Sequence, residues 1–134
     1  MDLKDLKPKS ETATVELVHP VTFEPLTTDD GKVMSVTVAL PYSKRYKAVQ
    51  HEQTNRRLQR VANQRNNKSK ITAEEIENSG LELLAKITEE WTVVLDGKTP
   101  VCNPDNAINL YKEFPWIKDQ VEEALLDTAS FMKA

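Results

Sequence analysis

Residues 12–40 read TATVELVHPVTFEPLTTDDGKVMSVTVAL, and their alternation decides the fold class. Ala13, Val15 and Leu17 alternate with Thr12, Thr14 and Glu16. Met34, Val36, Val38 and Leu40 form a second run, richer in β-branched residues. A period of two marks a strand with one face buried. Between the runs lie His19-Pro20, Glu24-Pro25 and Asp30-Gly31, all turn chemistry. The segment therefore predicts an antiparallel hairpin with a long, partly extended connection. Two strands alone are marginal in water, so their apolar face requires helices to cover it.

The rest of the chain supplies those helices. Pro41 ends the second strand and Ser43 is placed to cap a helix. Tyr42, Tyr46 and Val49 give that helix one short apolar stripe, and Leu58 and Val61 give another. Residues 62–70, ANQRNNKSK, lose periodicity and are expected to be a flexible link. Thr72 and Glu75 form a capping box. Ile76, Leu83, Leu84, Ile87 and Trp91 then recur at helical spacing, with Gly97 placed as a stop and Gly80 an interruption. Asn103-Pro104 opens a short helix through Ala107, Leu110 and Tyr111. Pro115 opens a last one, with Trp116, Ile117, Val121, Ala124, Leu125, Thr128, Phe131 and Met132 on one face. The expectation is an α+β fold, mostly α-helical, with an N-terminal β-hairpin packed on a bundle of about four helices. It divides into a mobile leader (1–11) and one domain (12–134), made of the hairpin (12–40), a basic helix (43–66) and a helical core (72–132).

The chain has 134 residues, enough for one core. Its single cysteine, Cys102, excludes an internal disulfide and suits a reducing compartment. The expected role of Cys102 is that of a small apolar filler. No apolar run approaches the roughly 18–20 residues of a membrane span, and MDLKDLKPKSE lacks the apolar centre of a secretory signal. Catalysis is not expected. His19 and His51 stand apart from Cys102 and from any serine motif, and three scattered glycines build no phosphate cradle. Metal-ligand spacings are absent, so neither metal nor cofactor is expected. Glu74-Glu75, Glu89-Glu90 and Glu122-Glu123 are adjacent pairs, which diverge by about 100° on a helix and read as solvated faces.

Charge is sorted along the chain. Residues 42–70 hold nine of the 18 Lys and Arg and one acid, Glu52, whereas the residues after them carry a net −8. Such a tract fits phosphates or an acidic protein surface. Nucleic acid is disfavoured by an overall pI near 5.5. A helix-turn-helix built around Gly80 would read bases with LELLAKITEEW, which bears three acids and one lysine. No aromatic interleaving marks a single-strand platform. A basic arm on an acidic body suits docking onto a second copy or another acidic protein. Arg56, Arg57 and Arg60 are the candidate contact residues, with Tyr46 and Trp116 as aromatic anchors.

The order of the parts resembles a known family. A hairpin turn HPVTFEPLTTDDGK precedes VTVALPYSKRYKAV, in which Ser43 and Tyr46 open a basic helix. EEWTVVLDGK follows, with Trp91 before Asp96-Gly97, and then NPDNAINLYKEFPWIKDQVEEALLDTASF. Over residues 13–132 this is similar to the tail assembly chaperones of long-tailed, siphovirus-like bacteriophages. The resemblance implies a non-catalytic protein of the infected cell's cytoplasm. Its partners would be the tape-measure protein and the tail-tube protein, with self-association, and it would be absent from the mature virion. Several such proteins occur in two lengths through a ribosomal frameshift, and this chain would be the short form. The alternatives are a small helical DNA-binding regulator and a structural virion subunit.

Overall fold

The computed structural model describes residues 11–63 and 72–127. Its elements are β1 (Thr12–Glu16), β2 (Ser35–Ala39), α1 (Lys44–Asn63), α2 (Ala73–Ile87), β3 (Thr88–Trp91), α3 (Pro104–Glu113) and α4 (Pro115–Leu126). The fold is α+β and mostly helical, with the hairpin first. Residues 1–10 of the leader (1–11), residues 64–70 of the link (62–70), and Thr128, Phe131 and Met132 lie outside the described residues.

The strands pair antiparallel in the order β1-β2-β3. Ala13 faces Val38 and Val15 faces Val36, so the alternating apolar residues share one face. That face is buried, whereas Thr14 and Glu16 are exposed on the other. On the solvent side the Thr14 and Thr37 hydroxyls meet at 3.0 Å. The connection is folded back on the hairpin. Leu17 and Met34 both bond Leu26, and Thr27 bridges Val33. Beyond it, the ring of His19 accepts the Val21 and Thr22 N–H groups through Nδ1 and braces a turn with Phe23 at φ 61°. Gln120 of α4 bonds both the N–H and the C=O of Val18, at 3.0 and 2.9 Å, and so ties the last helix to the hairpin.

The caps form where the sequence places them. Ser43 Oγ accepts the Tyr46 N–H at 3.2 Å, Thr72 Oγ1 accepts that of Glu75, and Asn103 Oδ1 accepts that of Asn106. One expectation fails: the third predicted helix does not run through Trp91. It ends at Ile87, and Thr88–Trp91 joins the sheet beside β2, with Val36 opposite Trp91. The β-branched and aromatic residues of TEEWTVV fit a pleated surface better than a helix, and edge pairing with β2 satisfies their backbone. A bulge between Thr37 and Val38 absorbs the irregular spacing. Gly97 is accordingly no helix stop. Asp96 and Gly97, at φ 54° and 76°, form the two-residue turn of a small hairpin closed by Leu95 and Lys98.

The core also differs from a purely C-terminal one. Ala13, Val15, Leu17, Val36, Val38 and Val49 are buried together with Leu84, Ile87, Leu110, Tyr111, Ile117 and Val121. The hairpin is thus a wall of the core rather than an attachment to it. The second predicted stripe of α1 is not buried at all: Leu58 is 62% exposed and Val61 55%. On α1 the core reaches only as far as Tyr46 and Val49.

Helix α2 runs unbroken through Gly80, and a Cβ there meets nothing within 4 Å. A helical glycine costs about 0.5–1 kcal/mol relative to alanine. Gly80→Ala is therefore expected to raise unfolding stability by about that amount in urea titrations. A loss of stability would contradict the continuous helix.

Candidate functional site

Residues 44–63 of the basic tract form α1, which lies antiparallel to α2. Their first contact is a cap. Nε and Nη2 of Arg45 donate to the Lys86 carbonyl at 3.1 and 2.8 Å, covering an orphan acceptor at the end of α2. Further along, Glu52 pairs with Lys86 at 3.0 Å and Gln53 donates to the Ser79 carbonyl at 2.9 Å. Arg56 pairs with Glu82 at 2.7 Å and Arg60 with Glu75 at 2.6 Å. Val49 is the last buried apolar residue of α1. Beyond it, Glu52, Gln53, Arg56 and Arg60 join α1 to α2 through hydrogen bonds and ion pairs.

These residues frame a cleft of about 380 Å³ lined by Gln53, Arg56, Arg57, Arg60, Glu75, Asn78, Ser79 and Glu82. Both signs of charge line it, so it presents no pure anion or cation site. Burial pushes the Glu82 carboxyl up, but hydrogen bonds from Arg56 and Lys86 outweigh it and hold the group below its ordinary 4.5. Hydrogen bonds that Lys86 donates to Glu52 and Glu82 raise its own value in turn. Both shifts favour the ionised forms of Glu82 and Lys86.

The five candidate residues therefore separate. Arg56 and Arg60 turn toward α2 and are neutralised within the chain. Arg57 lines the same cleft without an ion pair among the described residues. Tyr46 is half-buried against the core, and burial raises its phenol above the ordinary value. Trp116 is half-buried on α4, edge-on to Phe114 with ring centres 6.0 Å apart. Helix α4 packs on α3 and β1, whereas α1 packs on α2, so Trp116 does not join the arginines. Trp91 is buried, its indole N–H donating to the Pro100 carbonyl at 2.8 Å.

Glu75 and Glu82, the partners of the arginines, escape a reading of α1 alone. The signal is nevertheless present. Glu52, Arg56 and Arg60 lie four residues apart on one helical face, and Glu75, Glu82 and Lys86 lie seven and four apart on another. Read antiparallel, the two sets complement each other.

Among the described residues no group of three or more His, Cys, Asp or Glu is placed to hold a metal ion. Cys102 is half-buried beside the core, and burial, with a smaller push from Glu90, raises its thiol above the ordinary value. A second cleft of about 590 Å³ lies between the Leu95–Pro100 turn and α3, bounded by Trp91, Asn109 and Lys112. Among the described residues no helix is long and apolar enough to cross a membrane. No family model, curated protein or solved structure matches the chain.

A carboxyl whose folded pKa is lowered stabilises the fold above its unfolded pKa and loses that contribution as pH falls through the folded value. Thermal stability is expected to be level above about pH 5 and to fall below it as Glu82 protonates. In Glu82→Gln that decline should be shallower over the same range. An unchanged acid slope in the variant would show that the seam carries no such linkage.

Proposed function

We propose that this protein is a non-catalytic tail assembly chaperone of a long-tailed bacteriophage, which binds the tape-measure protein and promotes tail-tube assembly in the host cytoplasm. The observation that carries this reading is the outer half of α1. It extends beyond the core, is fastened by polar contacts, and leaves Leu58 and Val61 uncovered. A protein that holds an aggregation-prone helical client and then releases it needs apolar surface tempered by weak charge contacts. The ordered series of residues from Ser43-Tyr46 to Phe114-Pro115-Trp116-Ile117 supports the same reading by its resemblance to that family.

The alternative of a DNA-binding regulator loses ground for a specific reason. Two of the three central arginines are occupied by Glu75 and Glu82, and phosphate contacts would have to displace those carboxylates. Of the six cations of the tract among the described residues, Arg45, Arg56 and Arg60 are paired within the chain, which lowers what counterion release supplies.

The test is co-expression with the tape-measure protein encoded beside it. The tape-measure protein should be soluble and co-purify with a tagged copy of this chain, and mass spectrometry of purified particles should find this chain missing. A tape-measure protein that stays insoluble overturns the reading. Stoichiometric amounts in particles overturn it in favour of a virion subunit.

A further inference from the structure

We infer that the outward face of α1 is the docking surface for an acidic amphipathic helix of another protein. Lys47, His51, Thr54, Leu58 and Val61 follow one another at steps of four and three residues, which places them along a single seam of the helix. Val49, Gln53, Arg56 and Arg60 lie on the opposite side, toward α2 and the core. The two faces are therefore distinct in chemistry. The inner one is neutralised by Glu75 and Glu82. On the outer one all five residues are exposed, Leu58 and Val61 most tellingly.

Charge complementarity identifies the occupant. Helix α1 contains one acid, Glu52, and it faces inward on Lys86. Lys44 and Lys47 lie on or beside the outer seam, are exposed, and make no ion pair among the described residues, whereas Arg57 borders the cleft with α2. The face thus offers cations around its N-terminal half and an apolar patch at Leu58 and Val61. A helix with an apolar stripe bordered by Asp or Glu satisfies both ends at once. It covers the two exposed side chains and pairs the free cations at the rim. A nucleic acid satisfies only the cations, since phosphates against Leu58 and Val61 leave that patch uncovered. A helix of 20 residues spans about 30 Å, enough to engage a partner along several turns.

The inference deepens the proposed function by naming a surface and a client chemistry, and it rests on that reading only for the client's name. The probe is a synthetic helical peptide of about three heptads, with leucine at a and d and glutamate at e and g. Binding to the full chain is followed by fluorescence anisotropy beside a matched peptide carrying lysine at e and g, and beside a short DNA duplex. The acidic peptide should bind and the other two should not. Leu58→Glu with Val61→Glu should weaken binding on the order of tenfold or more, as should Lys44→Glu with Lys47→Glu. Both pairs are solvent-exposed, so the circular-dichroism melting curve should be unchanged.

Equal binding of the acidic and basic peptides overturns the inference, as does binding that survives both double variants. Tighter binding of the duplex overturns it in favour of nucleic acid. A concentration-dependent dimer abolished by the same substitutions overturns it in favour of a second copy of this chain. If the acidic peptide binds through this face while the tape-measure protein is not retained, the surface stands and the phage reading falls.

Discussion

The junction at Ile87–Thr88 is the constraint on which the rest of the structure depends. At that point the chain leaves a helix and enters a sheet without an intervening loop. The Thr88 hydroxyl donates to the Leu84 carbonyl at 2.7 Å and so receives the hydroxyl proton of Tyr111 at 2.7 Å. Both groups are buried, and burial pushes the Tyr111 phenol up to about 12. One hydroxyl thus closes α2, starts β3 and pins α3. Two residues earlier, the Lys86 carbonyl receives Arg45, which sets α1 against α2. Sheet, core and basic helix are all placed by three consecutive residues.

From that junction the two halves of α1 acquire different physics. Near Arg45, Tyr46 and Val49 the helix is held by burial and by a cap on α2. Beyond Gln53 it is held by exposed or half-exposed ion pairs, each contributing about 0–1 kcal/mol and weakened by salt. A helix attached strongly at one end and weakly at the other can be remodelled by a partner without disturbing the core. The sorted charge of the sequence therefore has two destinations. Among the described residues, Arg56 and Arg60 are paired with Glu82 and Glu75, whereas Lys44 and Lys47 are exposed on the outward face that also carries Leu58 and Val61.

Much of this was legible in the sequence because it is encoded locally. The period-two runs at Ala13–Leu17 and Val36–Leu40, and the caps at Ser43, Thr72 and Asn103, each follow from neighbouring residues. The third strand was not legible. Ile76, Leu83, Leu84, Ile87 and Trp91 fit a helical period, and β3 exists because Val36, far away in sequence, offers it an edge. Local spacing does not reveal a non-local partner. The same limit hid the α1–α2 seam, since Arg56 and Arg60 read as free cations until α2 is laid beside them. Leu58 and Val61 were misassigned to a buried stripe for a related reason. Periodicity identifies a face, but only the neighbouring elements decide whether anything covers it.

The central claim is that α1 is one helix with a core-bound half and a charge-held half. Hydrogen exchange along the chain, followed from about 0.05 M to about 1 M salt, tests this most directly, since screening weakens exposed pairs and leaves buried contacts nearly untouched. The account predicts that amides of residues 55–63 lose protection as salt rises, while those of β2, α2 and α3 keep theirs. Protection of residues 55–63 that is indifferent to salt, or that is lost only together with the core, would contradict it.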